Sequence, residues 1–150
     1  MNKEIEELVS ISNLIGEKAE FVQGGGGNTS LKINENIMAI KASGYLLKDM
    51  NENTGYVCLN YKKILEAIEL IEIKSEDEEE KLNELIMDNR IEVKELPLLR
   101  PSIEAGFHAL LEKYVMHSHS VYSNIINCSL EGKKILQDIL LDKEYIFVNY

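Results

Sequence analysis

The chain has 150 residues, the size of one ordinary domain, and its 45% hydrophobic content is ample for a core. Sixteen Lys and Arg against twenty-six Asp and Glu leave a net charge of −10, which argues against nucleic acid and anionic membrane as partners. The same charge repels a phosphorylated metabolite at long range, so such a ligand would need a locally positive site of backbone N–H groups, lysines or a metal.

The N-terminus, MNKEIEELVS, is charged and helical in pattern, and no apolar run has the length of a bilayer span. Cys58 and Cys128 stand far apart without C-x-x-C spacing, which speaks for reduced thiols and a soluble, cytoplasmic protein. Ile5, Leu8, Val9, Ser12 and Ile15 recur at helical spacing and predict an amphipathic first helix fading near Gly16. Next comes Gly24-Gly25-Gly26-Gly27-Asn28-Thr29-Ser30. Four successive glycines are costly to order, so a fixed loop is expected where backbone must approach something closely. Strands are predicted at Thr29–Ile33 and Ile37–Ala42, joined as a hairpin by Asn34-Glu35-Asn36, and a further one at Tyr56–Leu59.

Apolar Ile64, Leu65, Ile68 and Ile71 mark a second helix over Tyr61–Ile71, with Asn60 as its N-cap. The acidic run Glu76 to Glu80 within Ser75–Lys81 reads as a solvated loop or the frayed start of a helix. Pro101 and Ser102 open a third helix whose apolar face is Ile103, Phe107, Leu110 and Leu111. A strand over Lys113–His119, a helix over Gly132–Leu141 and a strand over Tyr145–Val148 complete the series. This order predicts an α/β domain with a mixed, largely antiparallel central sheet between helical layers.

Chemistry-bearing side chains concentrate in four places. His117-Ser118-His119 closes an apolar run, and residues i and i+2 of a strand share a face, so both imidazoles can converge on one ion or can simply be hydrogen-bonded histidines. Glu104 and His108 lie on neighbouring turns of the third helix. A carboxylate there can ligate a metal, act as a general base, or sit as a first-turn glutamate favoured by the helix dipole; His108 reads as a structural, hydrogen-bonding histidine. Gly24–Ser30 can cradle a phosphate with backbone N–H groups, and it fits neither a Walker A loop nor a dinucleotide fingerprint. Lys41-Ala42-Ser43-Gly44 closes the hairpin as a polar turn.

In order, GGGGNTS at 24–30, KASG at 41–44, RPSIEAGFHALL at 100–111 and HSHS at 117–120 resemble the motif set of class II aldolases and their adducin-family relatives. The resemblance runs over essentially the whole chain and is closest in wording to rhamnulose-1-phosphate aldolase-like domains, including those fused to dehydrogenases. It implies a substrate phosphate among Gly27, Asn28, Ser43, Gly44 and Ser102, Glu104 as the acid/base, and His117 and His119 as two of three histidine ligands to a catalytic Zn2+. The implied reaction is cleavage of a ketose 1-phosphate to dihydroxyacetone phosphate and an aldehyde, in a cytoplasmic homotetramer. The family's third histidine follows a proline-glycine turn and another helix beyond the point corresponding to Tyr150. Residues 1–150 are therefore expected to form an aldolase/adducin-like domain truncated at its C-terminus, with weak zinc binding and little activity. The alternatives are a non-catalytic binding or assembly module, as in adducin, and an epimerase or dehydratase on the same platform.

Overall fold

The computed structural model describes residues 2–69, 76–94, 96–141 and 143–144. Strands β1 (Asn28–Lys32), β2 (Ile37–Lys41), β3 (Tyr56–Asn60), β4 (Arg90–Ile91) and β5 (Tyr114–His117) form one sheet in the order β4-β3-β2-β1-β5. Among the described residues every pairing is antiparallel. The β1–β2 turn is the expected one: Asn34 Oδ1 accepts from the backbone N–H groups of Asn36 and Ile37, both at 2.9 Å.

Strand alternation sorts the core into two layers. Leu31, Ala39 and Cys58 stand side by side across β1, β2 and β3 and pack on Ile5, Leu8 and Ile15 of helix α1 (Asn2–Gly16). The helix ends where predicted, against a 3₁₀ turn at Leu47–Asp49, where a Cβ on Gly16 would stand 2.3 Å from the Lys48 backbone nitrogen. On the other face Met38, Ile40, Val57 and Leu59 meet Ile64 of α2 (Tyr61–Ile68), Ile86 of α3 (Glu76–Asp88), and Ala105 and Ala109 of α4 (Ala105–Leu110). The sheet thus lies between helical layers. Asn60 caps α2 as expected, its side chain accepting from Lys63 N at 3.2 Å. Ile71 lies outside the described residues, and the acidic run is the start of a helix rather than a loop.

The third predicted helix is turned over. Ile103, Phe107, Leu110 and Leu111, expected to face the core, are 59%, 72%, 61% and 53% exposed, while Ala105, Gly106, His108 and Ala109 face inward. Small residues allow close approach: a Cβ on Gly106 would stand 3.5 Å from Ile68 and 3.7 Å from Leu82. The helix also starts at Ala105 rather than Pro101, with Ala105 N donating to Ser102 O at 3.2 Å.

After β5, shorter than the predicted Lys113–His119, come α5 (Val121–Asn127) and α6 (Gly132–Ile139). Helix α5 and the two-residue β4 carry too little periodicity to have been predicted. In α6 the predicted face is only partly covered, with Ile135 and Ile139 exposed. The strand predicted at Tyr145–Val148 lies outside the described residues. Among the described residues no helix is long and apolar enough to cross a membrane, and Cys58 and Cys128 are both free.

Candidate active site

Helix α4 is seated on β1 by polar side chains. Asn28, Ser30 and Lys32 alternate along β1 and share the face that meets α4, while Thr29 and Leu31 face α1. Asn28 Nδ2 donates to Ser102 Oγ at 2.6 Å and to Glu104 Oε2 at 2.9 Å, just ahead of the helix. Ser30 Oγ lies 2.7 Å from His108 Nδ1 in its middle. At its end, Lys32 Nζ donates to the carbonyls of Ala109 and Leu111, where a cation also suits the helix dipole.

This seating brings Glu104 to β5. Asn28 and His117 are register partners, and Glu104 Oε1 lies 3.1 Å from His117 Nδ1. The two side chains are 30% and 40% exposed, open enough for a ligand to reach. Burial pushes the Glu104 carboxyl up, but the Asn28 hydrogen bond and the neighbouring His117 outweigh it and hold the group below its ordinary range. His108 is 2% exposed, and its desolvation, only partly offset by Glu104, lowers the imidazole to about 4, so it is neutral at pH 7.

One ligand atom from each of Glu104, His108 and His117 lies within 4.8 Å of the others. A carboxylate with two imidazoles is a donor set suited to zinc, and a neutral His108 with Nδ1 engaged by Ser30 fits the pattern in which a second group orients a ligating ring. The residues present therefore fit a metal. His119 lies just past the end of β5, its ring centroid 4.9 Å from that of His117 and tilted by 56°, outside that three-residue cluster. His108 was visible in the sequence as the helical neighbour of Glu104, but spacing alone gave no means of knowing that the helix turns it toward the sheet.

The glycine loop lies beside these histidines. Gly27 is buried with φ of 75°, and a Cβ there would stand 2.5 Å from Val22 Cγ1 and 3.1 Å from His117 O. A Cβ on Gly26 would stand 2.8 Å from His119 Nδ1, and one on Gly25 3.7 Å from Gly44 O. The loop is thus in contact with both the histidines and the 41–44 turn. Lys41, 3% exposed, ties them together by donating to the carbonyls of Gly25, Ala42 and Tyr45 at 3.3, 3.3 and 2.9 Å. Desolvation lowers the pKa of this ammonium, and nearby Glu104 opposes the shift. Ser43 N donates to Arg100 O at 2.9 Å and Ala42 bridges to Pro101, which brings Ser43 and Gly44 close to the segment holding Ser102 and Glu104. Ser43 and Gly44 are exposed, and Ser102 is buried. All the predicted site residues therefore gather at one end of the sheet. No local pattern marks Lys41 as the tie between two loops, since that role needs both loops in place.

Residues 6–149 match the profile of the Class II Aldolase and Adducin N-terminal domain, and the chain belongs to that family. It is 32% identical, over 157 aligned positions, to the uncharacterized oxidoreductase YuxG of Bacillus subtilis (strain 168), covering 99% of this chain and 22% of that protein. It also resembles the structure of the N-terminal class II aldolase domain of a conserved protein from Thermoplasma acidophilum, at 27% identity and a TM-score of 0.75, over 93% of this chain and 66% of that one. The chain thus spans under a quarter of the length of the curated relative.

Proposed function

We propose that this chain carries the site of a metal-dependent aldolase-type lyase that cleaves a ketose 1-phosphate to dihydroxyacetone phosphate and an aldehyde. The observation that supports this most is the Glu104 carboxylate, fixed between Asn28 and His117 and adjoining a glycine loop. The phosphate lies among Gly27, Asn28, Ser43, Gly44 and Ser102, where the loop and the turn supply close backbone approach without side chains in the way. Anchoring the phosphate there orients the bond to be broken. Glu104, ionised at neutral pH, carries the proton to and from the carbon next to the carbonyl.

His117 is the common member of two metal sets, one with His119 and one with Glu104 and His108. Zn2+ bound there would act as a Lewis acid on the substrate's carbonyl and adjacent hydroxyl oxygens. If Glu104 is itself a ligand it is not free as a base, so the two sets assign it different work. The assembly we propose is a cytoplasmic homo-oligomer, a tetramer by family resemblance, that takes a small phosphorylated sugar.

The test is metal analysis of the purified protein together with an aldol-cleavage screen over ketose 1-phosphates. In a version of the chain extended with the downstream segment of an active relative, loss of zinc in His117→Ala and loss of cleavage in Glu104→Gln are expected. Retention of zinc by His117→Ala would remove both sets at once. Zinc binding without cleavage of any ketose 1-phosphate would favour the non-catalytic module.

A further inference from the structure

Strand β3 runs further along the sheet edge than β4, its neighbour there. Asn60 N donates to Asn89 O at 2.9 Å and Cys58 stands across from Ile91, so Tyr56, Cys58 and Asn60 turn their backbone N–H and C=O groups toward β4. β4 ends at Ile91, and Val93, the next residue that would face Tyr56, gives its carbonyl to Leu96 N at 3.0 Å instead. The chain thus leaves the ladder early, and a cavity of about 210 Å³ opens between Tyr56 and the residues that follow β4. Its walls are mostly apolar, among them Val57, Ile91, Leu96 and Leu99.

Arg90 also lines this cavity, and it is short of acceptors. Its Nη1 donates to Leu99 O at 3.2 Å, its Nε is buried without a hydrogen-bond partner, and among the described residues no carboxylate lies within ion-pair distance of it. A guanidinium carries five N–H donors, and a partly buried one left with a single acceptor is destabilising unless a further acceptor is supplied. The remaining polar groups do not supply it. Glu92 and Lys94 line the cavity with opposite charges and are both exposed. The Tyr56 hydroxyl donates to Glu52 O at 2.9 Å, and burial pushes the Cys58 thiol up to about 11, so it is neutral at pH 7.

We propose that this cavity binds a small carboxylic acid with an apolar body, its carboxylate on the Arg90 guanidinium and its hydrocarbon part against Val57, Ile91, Leu96 and Leu99. Planar guanidinium and carboxylate groups match in geometry, and the pairing is charge-assisted. The Tyr56 N–H, left without a strand partner, is a second donor to the acid. The volume is below the range that holds drug-sized molecules, which restricts the ligand to a small one. The site is separate from the one that holds Glu104 and His117: β4 and β5 are opposite edges of the sheet.

The test is a 1H–15N NMR titration of the full chain with acetate, butyrate, hexanoate and benzoate, each compared with its neutral carboxamide. The larger acids should shift the backbone resonances of Tyr56, Ile91 and Leu96 and the Arg90 Nε–H, with affinity rising from acetate to hexanoate as more apolar surface is buried. Each carboxamide should bind about tenfold or more weakly than its acid. Arg90→Gln should lose the acid by the same factor and leave carboxamide binding unchanged. Because acid and carboxamide are compared on the wild-type chain, the outcome stands even where the variant fails to fold. The proposal is overturned if none of the acids shifts these resonances, if acid and carboxamide bind alike, or if a folded Arg90→Gln binds the acids as well as wild type. Affinity that does not rise from acetate to hexanoate would overturn the apolar subsite. Shifts confined to Gly26, Asn28 and His117 would place the acid in the other site and overturn the assignment to this cavity.

Discussion

The two faces of strand β1 are both buried, yet they are built from different chemistry and do different work. Toward α1 the strand presents Thr29 and Leu31; Leu31 is fully buried among Leu8, Ala39 and Cys58, and Thr29 Oγ1 pairs with Ser12 Oγ at 2.6 Å. Toward α4 it presents Asn28, Ser30 and Lys32, each hydrogen-bonded to α4 or to the segments flanking it. Apolar contact is non-directional and tolerates small shifts, so it supplies cohesion. Hydrogen bonds fix distance and angle, so the polar face determines where Glu104 and His108 stand relative to His117. One strand thus separates stability from positioning by the period-two alternation of its side chains.

The comparison is broken most directly on the apolar face. Leu31→Ala should cost about 4 kcal/mol, as large-to-small changes at fully buried sites do, and should be read by urea unfolding. The metal and phosphate affinities of the folded fraction should be little changed. Leu130→Ala, at a side chain that is 100% exposed, is the control and should fall within about 0.5 kcal/mol of wild type. A Leu31→Ala variant as stable as the control would show that the α1 face does not carry the cohesion.

The next effect comes from His108 on the polar face. Its imidazole is lowered to about 4 in the folded chain and has its ordinary value near 6.5 when unfolded, so between these values the unfolded state binds more protons. Stability is fully present above the unfolded value and is lost as pH falls through that window, by on the order of 3 kcal/mol at the acid end. His108→Asn keeps a polar atom near Ser30 and does not titrate there. Unfolding free energies of the two proteins, measured from pH 7.5 to pH 4, should therefore converge as pH falls, by on the order of 3 kcal/mol. Parallel curves would remove His108 as the titrating group.

The smallest effect is expected at Lys32, which is partly exposed and caps the end of α4. Lys32→Met keeps the aliphatic stem and removes the charge and its bonds to Ala109 and Leu111, at a cost of about 1 kcal/mol. Amide exchange within α4 should rise more than exchange within α1. Equal changes in both helices would mean that the polar face acts as general cohesion, and the division between the two faces would fail.

Much of the architecture could be read without a structure because its signals are local. The helix ending at Gly16, the hairpin closed by Asn34, and the cap at Asn60 follow from periodicity and turn chemistry within a few residues. The motifs at 24–30, 41–44, 100–111 and 117–120 carried the family, because those residue types in that order are rarely assembled by chance. What remained hidden depended on distant partners. Ile103, Phe107, Leu110 and Leu111 show a faultless apolar stripe, yet α4 and the residues flanking it leave it exposed. Periodicity records which residues could be buried, and only the β1 polar face with the small Ala105, Gly106 and Ala109 decides which are. In the same way, the sequence by itself determined that Glu104, the histidines and the glycine loop belong to one family of sites. The tertiary structure alone decided that His108 joins Glu104 and His117, that Lys41 ties Gly25 to Tyr45, and that Asn28 directs both amide protons to its neighbours. Hydrogen-bond partners more than ten residues apart are chosen by strand register and helix placement, which no local pattern encodes.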